Sequence, residues 1–309
     1  MTYGHSLGLG IGFYLLFILI LKIIYMPVIP CDTCVRVNQT CYDVNYLFDL
    51  EAPYRERIVI SKLGILKSSN ILYFSFEPKI TDAEYQKVGF VHLDNPGKAS
   101  IISSEKQLLN FGTFDIDQDN GMVYLGGSDG IYVLDSKINT IMPYSSRGDR
   151  VLSVFYKGHI YFVRDEEFKV VRKKGDNFDV LLEHMMIRNF VINKYNVIVY
   201  VCTYGLFASK HKETVWLSNN PFFRGLTIDM YGTVYAWWVD GIYKIDVGAN
   251  IARSKITKVA LIPDIGAVTF DNDNNIMFTS GKSLFRLTES NIRITEDFGD
   301  TYEFNSPDS

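Results

Sequence analysis

A turn, a short apolar strand ending on an aromatic residue, a second turn and a further strand recur six times along this 309-residue chain. Ile71-Leu72-Tyr73, Met122-Val123-Tyr124, His159-Ile160-Tyr161, Ile198-Val199-Tyr200, Thr233-Val234-Tyr235 and Ile276-Met277-Phe278 carry the unit, with the closing aromatics 35 to 51 residues apart. Second strands such as Gly130-Ile131-Tyr132-Val133-Leu134-Asp135 and Gly241-Ile242-Tyr243-Lys244-Ile245-Asp246 follow them. Such a period, with several short strands per unit, is the mark of a β-propeller. The cause is burial: a four-stranded blade has two apolar faces, and only stacking around an axis covers both while leaving short edges. The expectation is an all-β, six-bladed β-propeller over residues 51–296. The aromatic share of 14% favours strands, and no helical periodicity appears inside the repeats.

Ahead of the repeats, Leu7 to Leu21 is unbroken apolar or Gly, Lys22 interrupts, and Ile23 to Ile29 extends the run. Fifteen residues match a signal-peptide core and fall short of the roughly 20 that span a membrane. The first five residues carry no Lys or Arg and no Ala-x-Ala site follows, while a snorkelling Lys22 suits an uncleaved anchor. Residues 1–30 therefore read as a signal peptide or a signal anchor. The first implies secretion and the second a membrane attachment, with the propeller outside the cytoplasm in both.

Residues 31–50 form a Cys-bearing segment and 297–309 an acidic tail. Cys31, Cys34 and Cys41 cluster after the apolar run, and Cys202 stands apart. In an oxidising compartment these are disulfide candidates with three possible pairings. A zinc site needs a fourth ligand, and no His is near. Asn38-Gln39-Thr40 is a glycosylation sequon.

A net charge of −4 leaves no basic footprint for nucleic acid. No P-loop, dinucleotide fingerprint, HExxH or Gly-x-Ser-x-Gly occurs. His5, His92, His159, His184 and His211 show no metal spacing. Acidic residues that close the innermost strands (Asp117, Asp229, Asp271) read as turn initiators rather than calcium ligands. The chain thus reads as a binding protein with no catalytic residue, no metal and no cofactor.

One pattern points to a ligand. With Val154, Ile192 and Ile228 taken as equivalent positions of the innermost strands, Arg150, Arg188 and Arg224 each stand four residues earlier. Gly112 and Gly266 take that place in two other blades. The chain enters the innermost strand at the rim of the central funnel, so three guanidiniums are expected around one mouth, where their repulsion calls for an anion or protein carboxylates. The alternative is that each pairs with an Asp or Glu of its own blade. Tyr204, Phe222, Phe223 and Trp238 lie in or beside the same loops and add flat apolar faces. The site favours a small, planar, anionic molecule.

Cys31-Asp32-Thr33-Cys34-Val35 with Cys41, directly after the signal region, resembles the mature N-terminus of insect ommochrome-binding proteins. The stretches Phe155-Tyr156-Lys157-Gly158-His159-Ile160-Tyr161-Phe162-Val163 and Asn189-Phe190-Val191-Ile192 are similar to that family in kind. The resemblance implies a secreted, haemolymph-type carrier of ommochromes, phenoxazinone pigments made from tryptophan that are planar and carry carboxylates. Two other functions stay in view: a metal-dependent, lactonase-like hydrolase and a protein-interaction propeller. No oligomeric state is implied.

Overall fold

The computed structural model describes residues 35–37, 40–103, 108–183 and 186–293. It is an all-β propeller of six sheets. Blades one to five are four-stranded antiparallel sheets whose strands follow chain order outward from the axis. Their innermost strands are Ile60–Leu66, Phe111–Asp117, Val151–Tyr156, Ile187–Ile192 and Gly225–Ile228, and that of blade six is Ile265–Phe270. These six strands touch in sequence around a closed ring.

The repeats fold this way because each strand alternates large apolar groups toward the neighbouring blade. Leu63, Phe114, Val154, Phe190, Leu226 and Val268 occupy one level of the innermost strands and are all buried. The second-strand aromatics named above enter the same interblade layers: Tyr73 and Tyr200 are buried, and Tyr73 packs against Phe114 of the next blade. Gly64 sits where a Cβ would lie 2.9 Å from the Phe114 ring, so the aromatic needs a residue without a side chain opposite it.

Blade six departs from the expected domain boundaries. Its inner three strands, Ile265–Phe270, Ile276–Ser280 and Ser283–Arg293, come from the C-terminal end of the repeats. Its fourth strand is Thr40–Asp49, paired antiparallel from Thr40↔Arg293 to Asp49↔Ser283. The segment assigned above to a separate Cys-bearing stretch is therefore in part a strand of the propeller. Val35–Val37 pairs with its start and adds a fifth strand. Thr40–Asp49 is apolar enough for a strand but stands without the turn and following strand that mark the repeat, which is why the sequence period begins later.

Cys41 is buried and disulfide-bonded. Cys31 and Cys34, like Asn38 and the acidic tail, lie outside the described residues. Cys202, counted among the disulfide candidates, is instead a buried free thiol at the end of strand Ile198–Cys202. Among the described residues no helix is long and apolar enough to cross a membrane.

The Thr40–Asp49 ladder closes the ring. At about 1 kcal/mol per hydrogen bond it contributes on the order of 5 kcal/mol, a large part of a typical domain's stability. A chain truncated to begin at Leu50 is expected to lose its cooperative thermal transition, followed by circular dichroism. An unchanged melting midpoint would show that closure by this strand is dispensable.

Candidate functional site

Each innermost strand runs from an entry end, where the outermost strand of the preceding blade delivers the chain, to a far end, where a turn leads to the second strand. The far end is sealed by side chain–backbone hydrogen bonds. Asp229 Oδ1 accepts from Tyr231 N (2.9 Å) and Thr233 N (2.8 Å), and Asp271 Oδ1 from Asp273 N (3.0 Å) and Asn275 N (2.8 Å). Asp117 caps its own turn through Asp119 N and Asn120 N. These are the Asx turns expected from the sequence. Neighbouring turns are then linked: Gln118 Nε2 donates to Ile65 O, Lys157 Nζ to Asn196 Oδ1, and Asn274 Oδ1 accepts from Met230 N. Among the described residues no group of three or more His, Cys, Asp or Glu is placed to hold a metal ion.

The entry end is open and apolar in part. Leu108, Tyr204, Phe222 and Leu261 project from its loops into solvent. All three predicted arginines are at this end, but not as one ring. Blade three's first hairpin closes with Tyr156↔Ile160, two residues tighter than Ile192↔Ile198 and Ile228↔Val234. The counterpart of Ile192 is therefore Tyr156, not Val154. Four residues before it stands Leu152. The β-bulges agree, since they skip Ser61, Gly112, Leu152 and Arg188 at the same level. Arg188 and Arg224 are true equivalents, together with Gly112 and Gly266, whereas Arg150 lies two residues upstream.

Their partners differ accordingly. Arg188 donates through Nη2 to Pro221 O, and Arg224 through Nη1 to Ile265 O at 2.5 Å. Each arm thus reaches the entry strand or loop of the next blade. Among the described residues neither guanidinium has a carboxylate within ion-pair distance. Arg150 pairs instead with Asp165 of its own blade, Nη1–Oδ2 3.0 Å, with 55% of its side chain exposed.

The aromatic candidates divide. Tyr204 and Phe222 are 67% and 66% exposed, and Trp238 is half-buried at the end of its strand. Phe223 is buried at 5% exposure and meets Tyr243 edge-on, with ring centroids 5.3 Å apart. It belongs to the core of blade five, so only its neighbour Phe222 presents a face to solvent.

Sequence reasoning missed the charges inside the channel. Lys62 of blade one extends past blade two, so that Nζ stands 3.4 Å from Val154 O of blade three and 5.5 Å from the Phe114 ring centroid. Asp115 of blade two accepts from Tyr156 N at 2.6 Å, and Thr113 Oγ1 from Val154 N at 3.4 Å. The axis-facing edge of Val151–Tyr156, which no strand covers, is thereby satisfied by side chains of two other blades. Burial lowers the Lys62 pKa, opposed by the Asp115 charge; burial raises that of Asp115, opposed by Lys62 and by backbone N–H groups. A lone Lys at a strand start carries no sequence signal for this role.

No protein-family model matches the chain. The chain is 22% identical over 259 residues, 82% of its own length and 90% of the relative's, to ommochrome-binding protein of Manduca sexta. The relationship is distant. Among solved structures, a gluconolactonase from Xanthomonas campestris superposes with TM-score 0.61 at 13% identity, over 83% of this chain and 95% of the other. Virginiamycin B lyase from Staphylococcus aureus gives 0.52 at 7% identity, over 80% and 99%. The Pan2 WD40 domain of Neurospora crassa gives 0.52 at 10%, over 82% and 98%. At these identities the three share the propeller fold with this chain, and their differing activities do not transfer.

The channel pair generates a test. Lys62→Met removes the charge that opposes that of the half-buried Asp115 and the bond to Val154 O, and should cost on the order of 2 kcal/mol in denaturant unfolding. Asp115 then holds a folded-state pKa above its unfolded value. The folded state binds the extra proton, and stability falls as pH rises through that interval. Lys62→Met/Asp115→Asn should recover most of the loss and flatten the pH dependence. A single variant as stable as the parent would mean that the pair carries no load.

Proposed function

We propose that this chain is an extracytoplasmic binding protein that carries a small, planar, anionic ligand at the entry end of its propeller, an ommochrome or a related tryptophan metabolite. The observation that carries this reading is the distant relationship to ommochrome-binding protein, which extends over 82% of the chain. The chemistry of the entry end supports it: among the described residues Arg188 and Arg224 engage only carbonyl oxygens, and Tyr204 and Phe222 offer exposed rings at the same end. Guanidinium planes and aromatic faces together suit a flat molecule bearing carboxylates.

Purified protein titrated with an ommochrome should show a shifted visible absorption band. A charged hydrogen bond contributes roughly 1.5–3 kcal/mol, so Arg188→Ala or Arg224→Ala should weaken binding about ten- to a hundredfold. Arg→Lys should restore it only in part, because Lys lacks the planar fork. Both arginines also clasp the next blade, so the melting temperature of each variant is measured alongside. Folded variants that bind pigment as tightly as the parent would remove these residues from the site.

Secretion through the apolar N-terminus and glycosylation of Asn38 belong to the same proposal, as does a bond from Cys41 to Cys31 or Cys34. With Cys202 free, non-reducing peptide mapping should find Cys41 linked to one of those two. Recovery of Cys41 as a free thiol from secreted material would refute the assignment.

A further inference from the structure

A notch opens at the entry end between blades two and three. It is lined by Tyr85, Gln86, Asn110, Ser128, Arg150 and Leu152, and holds about 350 Å³ including its mouth. The segment 77–86 that supplies two of these residues is an insertion: it joins the second and third strands of blade one, where blades two, four, five and six use two-residue turns. The insertion is anchored. Asn110 Oδ1 accepts from Tyr85 N (2.6 Å) and Gln86 N (3.3 Å), the buried Glu84 accepts from Leu109 N (3.1 Å), and Lys87 bridges Asp82 and Glu84. This holds the Gln86 side chain over Gly112, where an added Cβ would lie 2.1 Å from Oε1. Gly112 is the level at which blades four and five carry Arg188 and Arg224, so an amide stands where those blades have a guanidinium.

The hydrogen-bond inventory of the notch is unbalanced. Asn110 Oδ1 is used twice by the insertion, Ser128 Oγ accepts from Asn110 N (3.3 Å), and Asp165 is engaged by Arg150. Apart from Gln86 Oε1, which lies over Gly112, these side-chain acceptors are thus consumed internally. Beside that one oxygen, what remains without a partner among the described residues is an excess of donors: the Asn110 and Gln86 NH₂ groups, the Ser128 hydroxyl proton and the outer N–H groups of Arg150. Four donor side chains around one concavity ask for an anionic oxygen group. Because Asp165 already offsets the charge of Arg150, the site suits a singly charged carboxylate better than a phosphate dianion. Tyr85 and Leu152 supply apolar walls for the body of the molecule.

We infer that this notch is a carboxylate subsite, made by the blade-one insertion, that receives the acidic group of a planar aromatic ligand. The inference rests on the binding reading given above and names the part of the entry end that does the recognising.

The test uses the full-length protein and 2-naphthoate as probe, with its methyl ester and inorganic phosphate as comparisons, followed by calorimetry at low salt. The carboxylate is expected to bind, and the ester and phosphate at least tenfold more weakly. Arg150→Ala and Gln86→Ala should each weaken naphthoate binding about tenfold, and Arg253→Ala, far from the notch, should leave it unchanged. Ser128→Ala, a smaller change, serves if either variant fails to fold and should weaken binding about threefold. Naphthoate affinity that is the same in the folded notch variants, equal affinity for the ester, or no binding to the parent overturns the inference. Pigment binding is titrated separately by its visible band. Pigment bound with the notch variants unaffected leaves the carrier reading standing without this subsite. Naphthoate bound in the notch without pigment supports the subsite and removes the ommochrome reading.

Discussion

Everything in this molecule depends on closing a ring of wedge-shaped sheets. A single blade exposes two apolar faces, and each face is covered only by the next blade. The buried level formed by Leu63, Phe114, Val154, Phe190, Leu226 and Val268 is complete only when blade six meets blade one. The chain achieves this by giving blade six an outer strand from the opposite end of the sequence, Thr40–Asp49 against Ser283–Arg293. The ladder converts an open stack into a closed one, with the inner strands of every blade covered by a neighbour.

Closure leaves two ends of unlike character. At the far end, Asx turns and cross-links such as Gln118 to Ile65 tie neighbouring blades together and use up the polar groups of the loops. At the entry end the apolar tips of Leu108, Tyr204, Phe222 and Leu261 stay exposed. The channel between them is not an empty tube. Lys62, Thr113 and Asp115 fill it beside blade three and satisfy the strand edge that faces the axis. One end is thus built for rigidity and the other for contact, with a charged plug between.

The fold was legible because its signal is repeated: six aromatic strands at similar spacing overdetermine a propeller, and the acidic turn initiators can be read residue by residue. The candidate site was legible only in part. Arg188 and Arg224 are equivalent as the sequence suggests, but Arg150 enters that alignment through an error of two residues. Blade three shortens its hairpin at Lys157-Gly158-His159, and a shift of two keeps the in-and-out alternation of a strand intact. Phe223 illustrates a second limit. Phe222 stands in a turn closed by Asn220, Phe223 follows it into the core, and composition does not say which of the two meets solvent. The insertion that places Gln86 over Gly112 breaks the period, so it appears in the sequence only as an irregular gap.

The origin of the closing strand also bears on how the chain comes off the ribosome. Thr40 pairs with Arg293, so this strand finds its partner only after the five blades between them have been made. At roughly 5–20 residues per second, Thr40–Asp49 waits on the order of 10–50 s with a bare edge. Val44, Tyr46 and Phe48 lie along it, and Asp43 and Asp49 are its only charges. An unpaired strand of this kind is a template for pairing with other chains. Nascent copies are therefore open to misassembly through this strand until Ser283–Arg293 emerges to cover it.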